Sequence, residues 1–229
     1  MSSELVHCEQ KGTVTVIRID DGKVNALSHD VLDQLCAAFD HADTVAAGAV
    51  ALVGREGKFS AGFDLSVMNQ GIEAATELLS KGAQLALRIY DSPRPVVFGV
   101  TGHALAMGAV LLMTPDERIG AEGTYKIGLN EVAIGMTLPE FALILADERL
   151  SRRHLYRATS QAEIYSPQDA VDVGYLDTIV PADRCAETAI ARAGELAATL
   201  HAKAHRNTKH ALRRDTVDKL KTSLGASIV

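Results

Sequence analysis

"KFSAGFDL", residues 58–65, follows closely on the continuous apolar run "GAVALVG" (48–54). A short apolar run bounded by turn residues suits a strand buried on both faces. Ser60, Ala61 and Gly62 then leave the main chain almost bare, and Gly62 can take positive φ at little cost. The stretch reads as a strand-to-helix corner whose backbone something must approach closely. A second corner, "GHALAMGA" (102–109), sits at the end of another buried strand, read as "PVVFGVTGHAL" (95–105) running into Gly102. Such corners leave N–H groups unpaired at the helix start, where the helix dipole favours negative charge. Two of them converging on one oxygen make an oxyanion hole; glycines in tight turns also serve geometry alone.

Working outward, "TVTVIRI" (13–19) is β-branched and reads as a strand ended by the turn "DDGK". Ser28 is a candidate N-cap for a helix whose apolar stripe is Leu32, Leu35, Cys36 and Phe39. A helical pattern over 71–91 turns Leu78, Leu79, Leu85 and Ile89 inward and stops at Pro93 and Pro95. "AMGAVLLM" (106–113) predicts a short buried helix, with strands at 117–121 and 124–128. Helical patterns cover 139–159, 167–173 and 183 to about 222. Strands interleaved with helices, then helices alone, make an α/β core (1–181) with a helical C-terminal segment (182–229) joined at Pro181.

Composition narrows the function classes. Of 229 residues, 47% are hydrophobic and 23% charged, so a packed core is expected. The net charge of −6 speaks against nucleic acid, whose binders carry basic stripes. Cys8, Cys36 and Cys185 are far apart and form no C-x-x-C pair, so free buried thiols are expected, with no disulfide framework and no metal site. "MSSELVHCEQKG" is not a secretory leader, "ASIV" (226–229) is not a peroxisomal address, and no apolar run reaches a membrane span. A cytoplasmic protein without membrane partners is the expectation.

Two acids stand among residues that predict burial: Glu131 in "GLNEVAIG" and Glu140 in "TLPEF". Burial raises a carboxyl pKa toward the range useful for proton transfer. Either acid also suits a solvated loop or a helix start, and Glu140 follows Pro139 as a first-turn residue would. His103 and His154 invite pairing with Ser60 or Ser151, but no G-x-S-x-G elbow is present. "HAKAHRNTKHALRR" (201–214) reads as a solvated basic helix face, or as one reaching an anionic ligand.

The order of these motifs resembles the enoyl-CoA hydratase/isomerase (crotonase) family, with the nearest look that of its Δ3,Δ2-enoyl-CoA isomerases. "GKVNALS" (22–28) is similar to the family's CoA-contacting segment, and "FSAGFDL" (59–65) and "GHALAMGAVL" (102–111) to its two oxyanion motifs. "YKIGLNEVAIGMTLP" (125–139) and "SPQDAVDVGYLDTIVP" (166–181) resemble the segments that follow. The resemblance implies a spiral of ββα units that acts on acyl-CoA thioesters. It implies oxyanion N–H donors at Phe63 and Met107, and CoA contacts at Lys23, Val24, Ala26, Ala61, Asp64 and Leu65. It also implies a homotrimer or dimer of trimers, and no cofactor beyond the CoA of the substrate. Family hydratases carry two glutamates; here Val110 stands at the first position, and Glu131 matches the second. Glu140 is similar in place to the glutamate that peroxisomal-type isomerases use. One base shuttling a proton from C2 to C4 is the expected chemistry. The alternatives are hydration by Glu131 and Glu140 together, another lyase or hydrolase on the same scaffold, and a non-catalytic acyl-CoA binder.

Overall fold

A computed structural model describes residues 4–226; the "ASIV" segment begins at the last of these and otherwise lies outside them. An edge hairpin opens the chain: β1 (Val6–Lys11) pairs antiparallel with β2 (Val14–Ile19). A repeating unit follows, in which a strand of a large sheet leads to a strand of a smaller sheet and then to a helix. The first unit is β2, β3 (Ala26–Leu27) and α1 (His29–Thr44). In the second, β4 (Ala49–Val53) leads through β5 (Gly57–Ser60) and β6 (Gly62–Phe63) to α2 (Leu65–Met68) and α3 (Ile72–Tyr90).

β7 (Val96–Val100), β8 (Gly102–Leu105) and α4 (Met107–Leu112) form the third unit. The fourth has β9 (Glu117–Ala121), β10 (Ile127–Gly128), a 3-10 turn at Val132–Ile134 and α5 (Glu140–Arg149). Then come α6 (Leu155–Ala158), α7 (Pro167–Val173), β11 (Thr178–Val180), α8 (Cys185–Thr199) and α9 (Ala202–Ala226). This is the spiral of ββα units that the sequence led us to expect.

The large sheet runs β1-β2-β4-β7-β9-β11, parallel throughout after the first pair. Its strands follow chain order without reversal, so it has no switch point of the dinucleotide-binding kind. Period-two alternation buries both faces. Ile17, Val50, Leu52 and Phe98 face the main core under α1 and α3, while Val16, Ala51, Val53 and Val97 face Ala189 and Ala193 of α8. Small residues on that second face let α8 lie close: a Cβ on Gly99 would come within 3.1 Å of the Ala189 Cβ.

Local chemistry explains the helix starts. Ser28 accepts the Val31 N–H and Ser166 the Asp169 N–H, each an N-cap. Several expectations need correction. "PVVFGVTGHAL" is two strands in different sheets, broken at Thr101; Gly102 lets the second pass against the Gly57 backbone, where a Cβ would collide. The strand at 124–128 shrinks to two residues. The helix over 139–159 breaks between Arg149 and Leu155, where the Ser151 N–H leaves the helical pattern to donate to Val173 O. Only Cys185 is buried; Cys8 lies exposed on the edge strand.

The basic stretch 201–214 is not all solvated. Lys209 and Arg213 are buried and both pair with Asp116, at 2.7 and 3.0 Å. Arg213 also stacks on the Tyr90 ring and donates to Tyr90 O at 2.7 Å. These bonds tie α9 to the loops at the N-terminal ends of β7 and β9.

Candidate active site

The two corners meet. Gly62 has φ +92°, and a Cβ placed on it would lie 2.8 Å from Ala106 Cβ and 3.2 Å from the Met107 nitrogen. Likewise a Cβ on Gly108 would lie 2.4 Å from Ser60 O. Both glycines are therefore required for α4 to rest its first turn on the Ser60–Gly62 backbone. What comes close to the bare main chain of "SAG" is the chain's own second corner.

Ala106 holds this corner at φ 50°, ψ −127°, outside the regions an L-residue prefers. Such a residue stores on the order of 1–3 kcal/mol and persists only where its surroundings dictate it. Those surroundings are visible: its N–H donates to Gly128 O, and its carbonyl accepts from Ala109 and Val110. Met107 follows as the first residue of α4, where an N–H has no partner within the helix. On the facing strand, Asp64 N–H donates to Leu27 O. Ala61 N–H donates to Val24 O, so bonds on either side of Phe63 tie this corner to the β3 segment.

Phe63 and Met107 line one cavity of about 170 Å³, together with Ala61, Leu65, Met68, Leu79, Val110 and Phe141. Glu131, Asn130 and Thr137 also border it, in an otherwise mostly apolar lining. Leu65, Ile134 and Met136 line the cavity yet stay exposed, giving its mouth an apolar rim of the kind that marks ligand sites.

Glu131 is fixed from its backbone: its carbonyl accepts the N–H groups of Ile134 and Met136 at 3.1 and 2.9 Å. The side chain is buried, and Oε2 takes no hydrogen bond from any described residue. Burial pushes its carboxyl above the ordinary glutamate value, and a bond from its own backbone N–H offsets part of that. An unpartnered buried carboxylate oxygen in a cleft is a functional-site feature. Val110, 2% exposed, lines the same cavity and carries no group able to take a proton.

The other acid lies elsewhere. Glu140 is exposed at the start of α5 and borders a neighbouring cavity of about 100 Å³ with Thr76, Ser80 and Ser223. Phe141, its neighbour in "TLPEF", is buried and lines the main cavity as well as this one.

The residues marked for CoA sit together on the β3–β6 side. Ala26 pairs with Gly62, Val24 O accepts the Ala61 N–H, and Asp64 caps α2 through the Ser66 N–H. Lys23 and Leu65 are exposed there, and Ala61 and Leu65 reach the cavity itself. Asn25, which carried no role in the sequence reading, holds this edge in place. At φ 54° its side-chain amide donates to Ile19 O, Lys58 O and Phe59 O, and its Oδ1 accepts from Asp21. Asn is one of the few residues that tolerate that backbone. Ser60 is committed to structure, donating to Asn25 O, and His103 Nδ1 accepts the Lys126 N–H.

The sequence model of the enoyl-CoA hydratase/isomerase family matches residues 9–228. The chain belongs to this family. It is 30% identical to human mitochondrial enoyl-CoA delta isomerase 1, over 98% of this chain and 75% of that protein. It is 34% identical to a probable enoyl-CoA hydratase of Bacillus subtilis, over 70% of this chain and 63% of that protein. A solved enoyl-CoA isomerase of Mycobacterium tuberculosis superposes with a TM-score of 0.94 at 37% identity, covering 99% of each chain. The fold is therefore the crotonase fold, and the chain is an enoyl-CoA hydratase/isomerase family enzyme. Among the described residues no helix is long and apolar enough to cross a membrane.

Proposed function

We propose that this enzyme isomerises 3-enoyl-CoA to 2-enoyl-CoA with Glu131 as its one proton carrier. The observation that carries this reading is a single buried carboxylate in an apolar cavity that also contains both corners. Ionised Glu131 removes a C2 proton, made acidic by the thioester and by the adjacent double bond. The charge that develops on the thioester oxygen is met by the N–H groups of Phe63 and Met107, two dipoles fixed before reaction. Protonated Glu131 then returns the proton to C4, and the double bond moves to C2–C3. Atoms balance within the substrate and the base.

Hydration by the same pocket needs a second group to manage water. Val110 has none, and Glu140 borders a different cavity. The Lys23–Ala26 and Ala61–Leu65 backbone supports a place for the pantetheine and nucleotide arm.

Glu131→Gln keeps the side chain's shape and removes its basicity. Turnover of 3-enoyl-CoA should fall roughly 100-fold or more, while Glu140→Gln should stay within about threefold of the parent. Hydration of 2-enoyl-CoA outpacing isomerisation, with both glutamates required, would replace this reading with the two-acid one. Near-native rates in both variants would remove Glu131 from the chemistry.

A further inference from the structure

The cavity that holds Glu131 is small and has a neighbour. A second space of about 100 Å³ lies where α3, the start of α5 and the end of α9 meet, bordered by Thr76, Ala83, Glu140, Ser223 and Leu224. Leu79, Pro139 and Phe141 line both spaces. Pro139 is held by its ring as the N-cap of α5, with its carbonyl accepting the Ala142 N–H. The two movable side chains in the wall are Leu79, on α3, and Phe141, on α5.

We propose that Leu79 and Phe141 form the floor of the acyl pocket and set the longest chain the enzyme accepts; this rests on the acyl-CoA reading of the cleft. With the thioester at the two corners and C2 to C4 beside Glu131, the rest of the chain runs on into the cavity until it meets Leu79 or Phe141. An apolar pocket discriminates by about tenfold or more per misfit methylene, so the parent's kcat/KM should break steeply at the chain length that first meets this wall. Truncating Leu79 joins the two spaces and moves that break to longer chains.

The test is kcat/KM over 3-enoyl-CoA thioesters of six, eight, ten and twelve carbons, for the parent, Leu79→Ala, Leu79→Phe and Phe141→Ala. Leu79→Ala should raise the ten-to-six-carbon ratio at least tenfold, Phe141→Ala should move it the same way, and Leu79→Phe should lower it. The ratio removes any loss common to all chain lengths, and Leu79→Phe covers the case in which a truncation unfolds the protein. Dissociation constants of the saturated acyl-CoA series, by calorimetry, read the same floor without chemistry. If no 3-enoyl-CoA turns over but binding still breaks at the same length, the isomerase reading fails and the floor stands. A parent profile flat to twelve carbons, or variants that shift every length by one factor, overturns the floor.

Discussion

Glu131 must ionise to act as a base, yet it is buried where ionising is costly. Its folded pKa lies above the ordinary glutamate value because of desolvation. Folding therefore favours the protonated form, and the stability this contributes is full below the unfolded pKa and lost as pH rises through the folded one. Activity runs the opposite way: kcat/KM should rise with pH through that same raised pKa, as the base becomes ionised. Glu131→Gln should abolish that acid limb. It should also be more stable than the parent at pH 7, by about 1 kcal/mol, read as 2–4 °C in Tm; an unchanged or lower Tm would show that the charge is accommodated. Gly62 poses the reverse case. Gly62→Ala places a Cβ in a φ +92° backbone, within 3.2 Å of the Met107 nitrogen, and should part the two corners. We expect kcat down about 100-fold with a smaller change in KM, since fixed N–H dipoles act on the transition state. A loss confined to KM would count against the corner's role. Burial was the legible part of Glu131, from Leu129 beside it, although the apolar Val132 on its other side lies exposed; the separation from Glu140 was not, because successive turns of backbone decide which cavity each acid faces.

Helices and buried strands were readable where their burial is set locally. The continuous apolar run 48–54 and the first half of 95–105 gave up their strands by length and β-branched content, and the stripe of Leu32, Leu35 and Phe39 gave up its helix by period. β1 did not, because only Val6 of its six residues is buried and its exposed side chains follow no alternation. β3 and β6 are two-residue strands defined by partners far along the chain, such as Ala26 with Gly62, and no local pattern announces them; β10 is the two-residue remnant of the strand read at 124–128. α9 shows the same limit for charge. Its Lys209 and Arg213 looked like solvent-facing residues because their partner, Asp116, lies 93 residues from Lys209. Asp116→Ala should leave two buried cations uncompensated and cost about 3–5 kcal/mol, measured by denaturant unfolding. Lys209→Met should cost far less at pH 7, since Asp116 keeps Arg213. Burial brings the Lys209 ammonium down to about 8 from 10.5, so the unfolded chain binds more protons between those values and stability rises with pH there. Lys209→Met should flatten that rise; a methionine variant with the parent's slope would assign it to another group.

At the scale of the molecule, α8 packs on the large sheet and α9 against α3 and α5, so the helical segment finds its apolar cover within one chain. Family membership remains the argument for assembly, and light scattering at micromolar concentration should give three times the chain mass, or six; a monomer would refute it. The nucleotide and pantetheine arm of a CoA thioester lies outside the Glu131 cavity, so it should add its own contacts along the β3–β6 edge. Binding energy gained there can hold the thioester against the corners. A free 3-enoic acid lacks that arm and brings a second carboxylate into an apolar space beside Glu131. Desolvation and like-charge repulsion both oppose it. Calorimetry at pH 7 should find the thioester bound at least 1,000-fold more tightly than the acid, about 4 kcal/mol at 1.4 kcal/mol per tenfold. The gap should narrow as pH falls and the acid protonates. Equal affinities would mean that the arm contributes nothing and that the β3–β6 edge is not its place.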